Sequence, residues 1–189
     1  MRVIAGKYRS RPLHSLKGMD IRPTSDRLRE TLFNVLTAGR LEVLEGTVWI
    51  DLYAGTGGVG IEALSRGAGM VYFVESSAQA AELIARNLAS LKIDENFRIL
   101  KLDGVRGLHS LANDHVAANF IFLDPPYRMQ EAYFQVLNFL AQTELLRPDG
   151  SIIAEHDKRF DPGEKCGTFQ RARKLEQGDA ALSFYQRQW

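Results

Sequence analysis

Four apolar runs in this chain each end at an acidic residue, and no other feature constrains the fold as strongly. Val48–Leu52 carries Asp51 at its end, Met70–Val74 runs into Glu75, residues 97–102 into Asp103, and residues 120–123 into Asp124. Short apolar runs bounded by turn residues read as strands buried on both faces, which is the habit of parallel sheets. Helical patterns alternate with them, as in a doubly wound α/β fold. Ser77 can cap a helix whose stripe is Ala81, Ile84, Leu88 and Leu91, and residues 131–141 make another. Arg147-Pro148-Asp149-Gly150 reads as a turn into a strand at 151–155. Residues 168–176 and 180–186 flank Gln177-Gly178-Asp179 as a hairpin. One acid at a strand end is ordinarily a turn or helix cap. Four in succession mark a crevice, because ligands of open parallel sheets bind outside the carboxyl ends of the strands.

The first acid stands before a glycine loop. Val48–Leu52 leads into Tyr53-Ala54-Gly55-Thr56-Gly57-Gly58-Val59-Gly60, then a helical stretch at 61–66 that Gly67 can cap. Gly55, Gly57 and Gly60 satisfy G-x-G-x-x-G, so a pyrophosphate site for NAD or FAD competes. Asp51 opposes that reading, since a carboxylate at the mouth repels a pyrophosphate. S-adenosylmethionine instead brings a sulfonium and an ammonium, which a carboxylate attracts. Glu75, twenty residues after Gly55, can accept both ribose hydroxyls of either cofactor. Asp103 is placed to accept from an adenine amino group.

The last acid opens Asp124-Pro125-Pro126-Tyr127. A strand end followed by a proline turn is one reading, since Asp and Pro are common turn residues. The other is chemical. An exocyclic amine of a nucleobase has its lone pair delocalised into the ring and is a poor nucleophile. Acceptors held against its N–H bonds oppose that delocalisation. Asp124 can supply a carboxylate, Pro125 a backbone carbonyl held still by its ring, and Tyr127 a face on which a base rotated out of its helix can stack.

With 189 residues the chain fits one domain, and 45% hydrophobic with 25% charged residues is ordinary for a soluble globular protein. The single Cys166 excludes an internal disulfide and fits a reducing compartment as an incidental thiol. His14, His109, His115 and His156 have no metal-ligand spacing, so no metal is expected. No apolar run follows Met1-Arg2 and none reaches membrane-span length, which leaves the cytoplasm as the expected location.

The overall charge of +1 hides an asymmetry. Residues 1–40 hold nine Lys or Arg against three acids, a net of +6, and the remainder carries −5. Such an end can concentrate phosphate contacts on one face, or merely solvate a hairpin and a helix. The alternation through residues 3–13 predicts two short strands turning at Gly6-Lys7, with Tyr8 among Lys7, Arg9 and Arg11 as a stacking surface for RNA. A helix follows, with Pro23 near its start, Thr24 or Ser25 as cap, and Leu28, Leu32, Val35 and Leu36 as its stripe. Arg27 and Arg29 project about 200° apart and cannot share one job. Residues 1–40 are taken as an extension docked on a core of 41–189.

The glycine loop and the Asp-Pro-Pro-Tyr motif together resemble the Rossmann-like class I S-adenosylmethionine-dependent methyltransferases of exocyclic amines. Residues 2–13, 22–36, 51–68 and 124–127 resemble more narrowly the RsmD family, bacterial methylases of guanine N2 at position 966 of 16S rRNA. The likeness runs to about Glu155 and fades after His156; Ser25 stands where the family leads one to expect threonine, which keeps the hydroxyl. It implies a mostly parallel sheet with a C-terminal antiparallel strand, a basic N-terminal hairpin and helix, and 16S rRNA or the assembling small subunit as partner. A monomer without membrane contact is expected. Gly55 and Gly57 would let the cofactor approach, Asp51 would face its methionine end, Glu75 its ribose and Asp103 its adenine. Asp124, Pro125 and Tyr127 would hold the guanine. Lys7, Arg9, Arg11, Arg22, Arg27 and Arg29 would hold RNA, the last three at the mouth of the crevice. A DNA adenine methylase shares both motifs but normally carries an inserted base-reading domain, for which the chain has little room. A dinucleotide enzyme or a noncatalytic nucleotide-binding module explains the glycines and leaves Pro125, Pro126 and Tyr127 idle.

Overall fold

In the computed structural model, which describes residues 1–15, 24–38 and 40–188, the four apolar runs form four neighbouring strands at one side of one eight-stranded sheet. Strands β1 (Val48–Leu52), β2 (Met70–Val74), β3 (Phe97–Leu100), β4 (Ala118–Leu123) and β5 (Leu146–Asp157) are mutually parallel, and β6 (Lys165–Cys166), β7 (Phe169–Gln177) and β8 (Ala180–Arg187) complete the sheet. The order is β3-β2-β1-β4-β5-β8-β7-β6. The chain moves outward from β1 to β3 and then returns to place β4 on the other side of β1. That reversal opens a crevice at the carboxyl ends of β1 and β4. Beyond β5 the expected antiparallel strand is β8, and β7 and the two-residue β6 continue the antiparallel edge. Gly178 and Asp179 close the β7–β8 hairpin where the turn residues predict it.

Helix α1 (Asp26–Thr37) precedes the sheet, and α2 (Gly58–Ser65), α3 (Ala78–Ser90), α4 (Gly104–Asn113) and α5 (Gln130–Ala141) cover its two faces. One face packs α2 and α3 over Trp49, Val71, Phe73 and Phe122, and the other packs α4 and α5 over Ile50, Leu52, Ile121 and Leu123. Ser77 caps α3 by accepting the Ala80 N–H, and its predicted stripe is buried. Among the described residues no helix is long and apolar enough to cross a membrane.

Three local expectations change. Strand β3 stops at Leu100, and Asp103 instead caps α4, a helix that the glycines at 104 and 107 conceal in the sequence. The residues 147–150, read as a turn, lie inside β5 as a bulge: the register passes from Ala118↔Leu146 to Phe120↔Ser151. The N-terminal arm reverses through residues 5–10 rather than at Gly6-Lys7 and makes only one isolated bridge, Arg2↔Pro12.

That arm is held by its backbone. The Glu62 carboxylate on α2 accepts the Ile4 and Ala5 N–H groups at 2.7 and 2.9 Å, and Ser65 accepts the Lys7 N–H on its carbonyl and the Tyr8 N–H on its hydroxyl. Val3 and Leu13 of the arm join Leu28, Leu32 and Phe33 of α1 in the cluster containing Trp49. Ser25 caps α1. The buried stripe runs through Leu28, Arg29, Leu32 and Phe33, with Val35 and Leu36 only partly covered. Pro23 and Arg22 lie outside the described residues.

Candidate active site

A cavity of about 860 Å³ opens at the carboxyl ends of β1, β2 and β4, and Asp51, Gly55, Glu75, Asp103, Asp124, Pro125 and Tyr127 all line it. Strand ends place them there, because each parallel strand delivers its last residues to the same edge of the sheet.

Asp51 is buried, and its Oδ2 accepts the Gly60 N–H at 2.9 Å. Burial pushes its carboxyl up to about 7, with the neighbouring Glu75 charge adding to the shift and the Gly60 bond opposing it. Glu75 accepts the Gly55 N–H on Oε2 at 2.9 Å and the Ser77 N–H on Oε1 at 2.8 Å. The glycine loop is thus clamped by two of the chain's own carboxylates. Its amides at Gly55 and Gly60, which a dinucleotide fold would turn to a pyrophosphate, already donate to anions.

The glycines differ in their duties. Gly55 lines the cavity, whereas Gly57 has φ +76 and faces Ile84 of α3, so its task is the left-handed entry into α2 and not approach to a ligand. A side chain at Gly60 would overlap the Phe73 ring, so this third glycine lets α2 pack on β2. Asp103 lines the cavity but is largely engaged by α4: Oδ1 accepts the Arg106 N–H at 3.0 Å and Oδ2 lies 3.4 Å from Arg106 Nε. Tyr53 stands beside it, its hydroxyl pushed up by burial and by the Asp103 charge.

On the β4 side, Asp124 and Tyr127 are half-buried, and the Pro126 carbonyl accepts the Met129 N–H at 2.7 Å to close the turn. Tyr133 of α5 is buried under this wall and donates its hydroxyl to the Glu155 carbonyl at 2.7 Å. Burial, then Asp124 and Tyr127, hold that phenol above its usual range.

A fifth strand-end acid, not singled out from the sequence, completes the wall. Leu123 pairs with Ala154 across β4 and β5, so Asp124 and Glu155 follow at the same level on adjacent parallel strands. Glu155 is buried, lines the cavity and accepts the Thr24 hydroxyl at 2.7 Å. The signal was present: 151–155 is another apolar run closed by an acid. Thr56, Val59, Val105 and Phe122 also line the cavity.

The cations are dispersed. Lys7, Arg9 and Arg11 are exposed on the arm and do not line the cavity; only Met1 of the arm does. Tyr8 is half-buried against the core, with Lys7 Nζ 5.3 Å above its ring. Arg27 is exposed on α1. Arg29 departs from expectation: its guanidinium is buried, donating to Asp26 Oδ1 at 2.9 Å and to the Arg2 carbonyl, with Glu62 at 3.9 Å. It joins the arm, α1 and α2, and it is not an exposed phosphate ligand. Desolvation lowers its pKa, against the pull of Glu62 and Asp26. Cys166 lies on the sheet edge, donating to Asn138 Oδ1 at 3.2 Å, with its thiol pushed up by burial. Among the described residues no cluster of His, Cys, Asp and Glu has the geometry of a metal site.

Comparisons with known proteins agree with this geometry. The family model described as "Conserved hypothetical protein 95" matches residues 1–186. A Bacillus subtilis protein named "Putative rRNA methyltransferase YlbH" is 34% identical over 99% of both chains. The Escherichia coli "Ribosomal RNA small subunit methyltransferase D" is 30% identical over 100% of this chain and 90% of its own. Among solved structures, an Escherichia coli protein described as "Putative methyltransferase yhhF" superposes with a TM-score of 0.84 at 29% identity, over 99% of this chain and 97% of that one. A family model matched over residues 1–186, with relatives 30% and 34% identical over nearly the whole chain, makes this chain a member of the conserved hypothetical protein 95 family, that of the RsmD methyltransferases.

Proposed function

We propose that the protein transfers the methyl group of S-adenosylmethionine to the exocyclic N2 amine of a guanine in small-subunit rRNA. By family, the target is position 966 of 16S rRNA. The observation that carries the reading is the single cavity in which the clamped glycine loop meets the Asp-Pro-Pro-Tyr wall. Its charge fits a cationic cofactor. Among the described residues the lining contains Asp51, Glu75, Asp103, Asp124, Glu131 and Glu155 against Arg29 and Arg128.

S-adenosylmethionine supplies an electrophilic methyl group. Asp51 faces its ammonium, Glu75 accepts from the ribose hydroxyls with lone pairs beyond those on Gly55 and Ser77, and Asp103 accepts from the adenine amine. Gly55 leaves room at the loop, and Gly57 sets its course. Asp124 and the Pro125 carbonyl accept from the guanine N2–H bonds, which localises the nitrogen lone pair, and Tyr127 stacks on the base. The proton leaves the methylated amine for Asp124 or for water.

Lys7, Arg9, Arg11 and Arg27 hold RNA phosphates outside the crevice, and Arg22 belongs to the same set. The protein acts as a monomer, with residues 1–40 as an extension docked on one methyltransferase domain. The partner is 16S rRNA or the assembling small subunit, in the cytoplasm. Tritium transfer from labelled S-adenosylmethionine to rRNA from cells lacking the enzyme, with nucleoside analysis by mass, tests the reading. N2-methylguanosine is expected; label in another nucleoside, or none, overturns it.

A further inference from the structure

We propose that Glu155 selects guanine, its carboxylate accepting the N1–H of the target base beside Asp124. The inference deepens the guanine-N2 reading and rests on it. Guanine presents two adjacent donors on this edge, N1–H and the N2 amine. Adenine and cytosine present an amine beside a ring nitrogen lone pair. A wall that receives guanine therefore needs two acceptors side by side, and it must oppose an edge that pairs a donor with an acceptor.

The sheet supplies that pair. The Leu123↔Ala154 register brings Asp124, the residue after β4, level with Glu155 of the neighbouring parallel strand, about 5 Å being the spacing between adjacent strands, and both line the cavity. The Thr24 hydroxyl fixes the Glu155 carboxylate at 2.7 Å, and the Tyr133 hydroxyl fixes its backbone carbonyl at 2.7 Å, so the acceptor is oriented before a base arrives. A carboxylate has about four lone-pair sites, so holding Thr24 is compatible with accepting an N1–H. Against adenine the same carboxylate meets the N1 lone pair, and no rotation of its two oxygens turns it into a donor. Drawing on the N1–H also raises electron density at N2, which favours attack on the methyl group.

The test uses small-subunit particles reconstituted with 16S rRNA that carries either guanine or 2-aminopurine at the target nucleotide. 2-Aminopurine keeps the 2-amine but presents a lone pair at N1. The wild-type protein is expected to favour guanine by about 100-fold or more in kcat/KM. Glu155→Gln keeps the side chain's shape, can still accept from Thr24, and can donate to N1, so the preference is expected to fall within about 5-fold. If Glu155 only anchors Thr24, the variant slows both templates alike, and an unchanged ratio overturns the proposal. Equal wild-type rates on both templates overturn it without any variant, which keeps the test decisive if Glu155→Gln fails to fold. No transfer to either template refutes the guanine-N2 reading itself.

Discussion

The crevice and the N-terminal arm use the same contact, a carboxylate accepting backbone N–H groups, to opposite ends. In the crevice Asp51 and Glu75 grip the glycine loop, so the acids are fixed and face the cavity. On the arm Glu62 grips Ile4 and Ala5, so the backbone is fixed while the side chains of Lys7, Arg9 and Arg11 reach into solvent. Charge in the crevice is therefore preorganised and shielded from salt. Charge on the arm is screened by salt and adjustable.

Removing the grip itself has the largest effect. Glu62 also accepts Arg66 Nε at 2.7 Å and lies beside the buried Arg29, so Glu62→Ala leaves that guanidinium short of negative charge and frees the arm. Breaking a buried pair of this kind costs about 3–5 kcal/mol. Urea denaturation should report it, and a loss under about 1 kcal/mol would mean that the Ser65 bonds and the packing of Val3 and Leu13 hold the arm without Glu62.

Chemistry comes next. Asp124→Ala should lower the single-turnover transfer rate about 100-fold or more while cofactor affinity stays within about threefold, since it removes an acceptor preorganised for the developing positive charge on N2. A rate near wild type would remove Asp124 from the catalytic groups of the crevice.

The two regions were unequally legible in the sequence. Strands β1, β2 and β4 were visible because burial on both faces demands unbroken apolar runs, and the β7–β8 hairpin because Gly178 permits its turn. Helix α4 was hidden by Gly104 and Gly107, whose helical state is set by Asp103 as cap and by the buried Leu108 and Leu111. The same cap took Asp103 partly away from the ligand role given to it. Arg29 reads as a surface cation only when charge is considered alone. Its i, i+3 and i, i+4 neighbours Leu32 and Phe33 are buried, and that spacing already places it on the inner face. Glu155 repeats the pattern of the other four acids and needed only the strand register to be joined to them.

Glu75→Ala separates the clamp from the ligand. Losing a charged acceptor should weaken S-adenosylmethionine by about 1.5–3 kcal/mol. Calorimetric titration with an unchanged dissociation constant would leave Glu75 as a loop clamp only.

The arm is tested by salt. Replacing Lys7, Arg9 and Arg11 with Ala should weaken rRNA or subunit binding about tenfold at physiological salt, with cofactor affinity unchanged. The slope of log K against log salt should fall in magnitude by about 2 to 3, about 0.7–0.9 for each phosphate contact. An unchanged affinity and slope would make the arm a solvated surface and direct attention to Arg27.

The smallest effect is a pH dependence that belongs to the crevice alone. Asp51 sits near 7 in the free protein, so below that pH it holds a proton, and a cofactor ammonium beside it favours the ionised form. Binding then releases a proton. Between pH 6 and 7.5 the ionised fraction of a group with that pKa rises about eightfold, and affinity for S-adenosylmethionine should rise with it before levelling off. The sign for folding is opposite. A carboxyl raised from 3.8 to about 7 contributes stability that is fully present below about pH 4 and is lost as pH rises through 7. Asp51→Asn can keep the Gly60 bond but not the charge, so it should bind weakly at every pH and flatten the profile. Proton release follows from calorimetry in two buffers of different ionisation enthalpy. If the wild-type affinity is already flat from pH 6 to 7.5 and no proton is released, Asp51 is ionised in the free protein, and its clamp on Gly60 outweighs its burial.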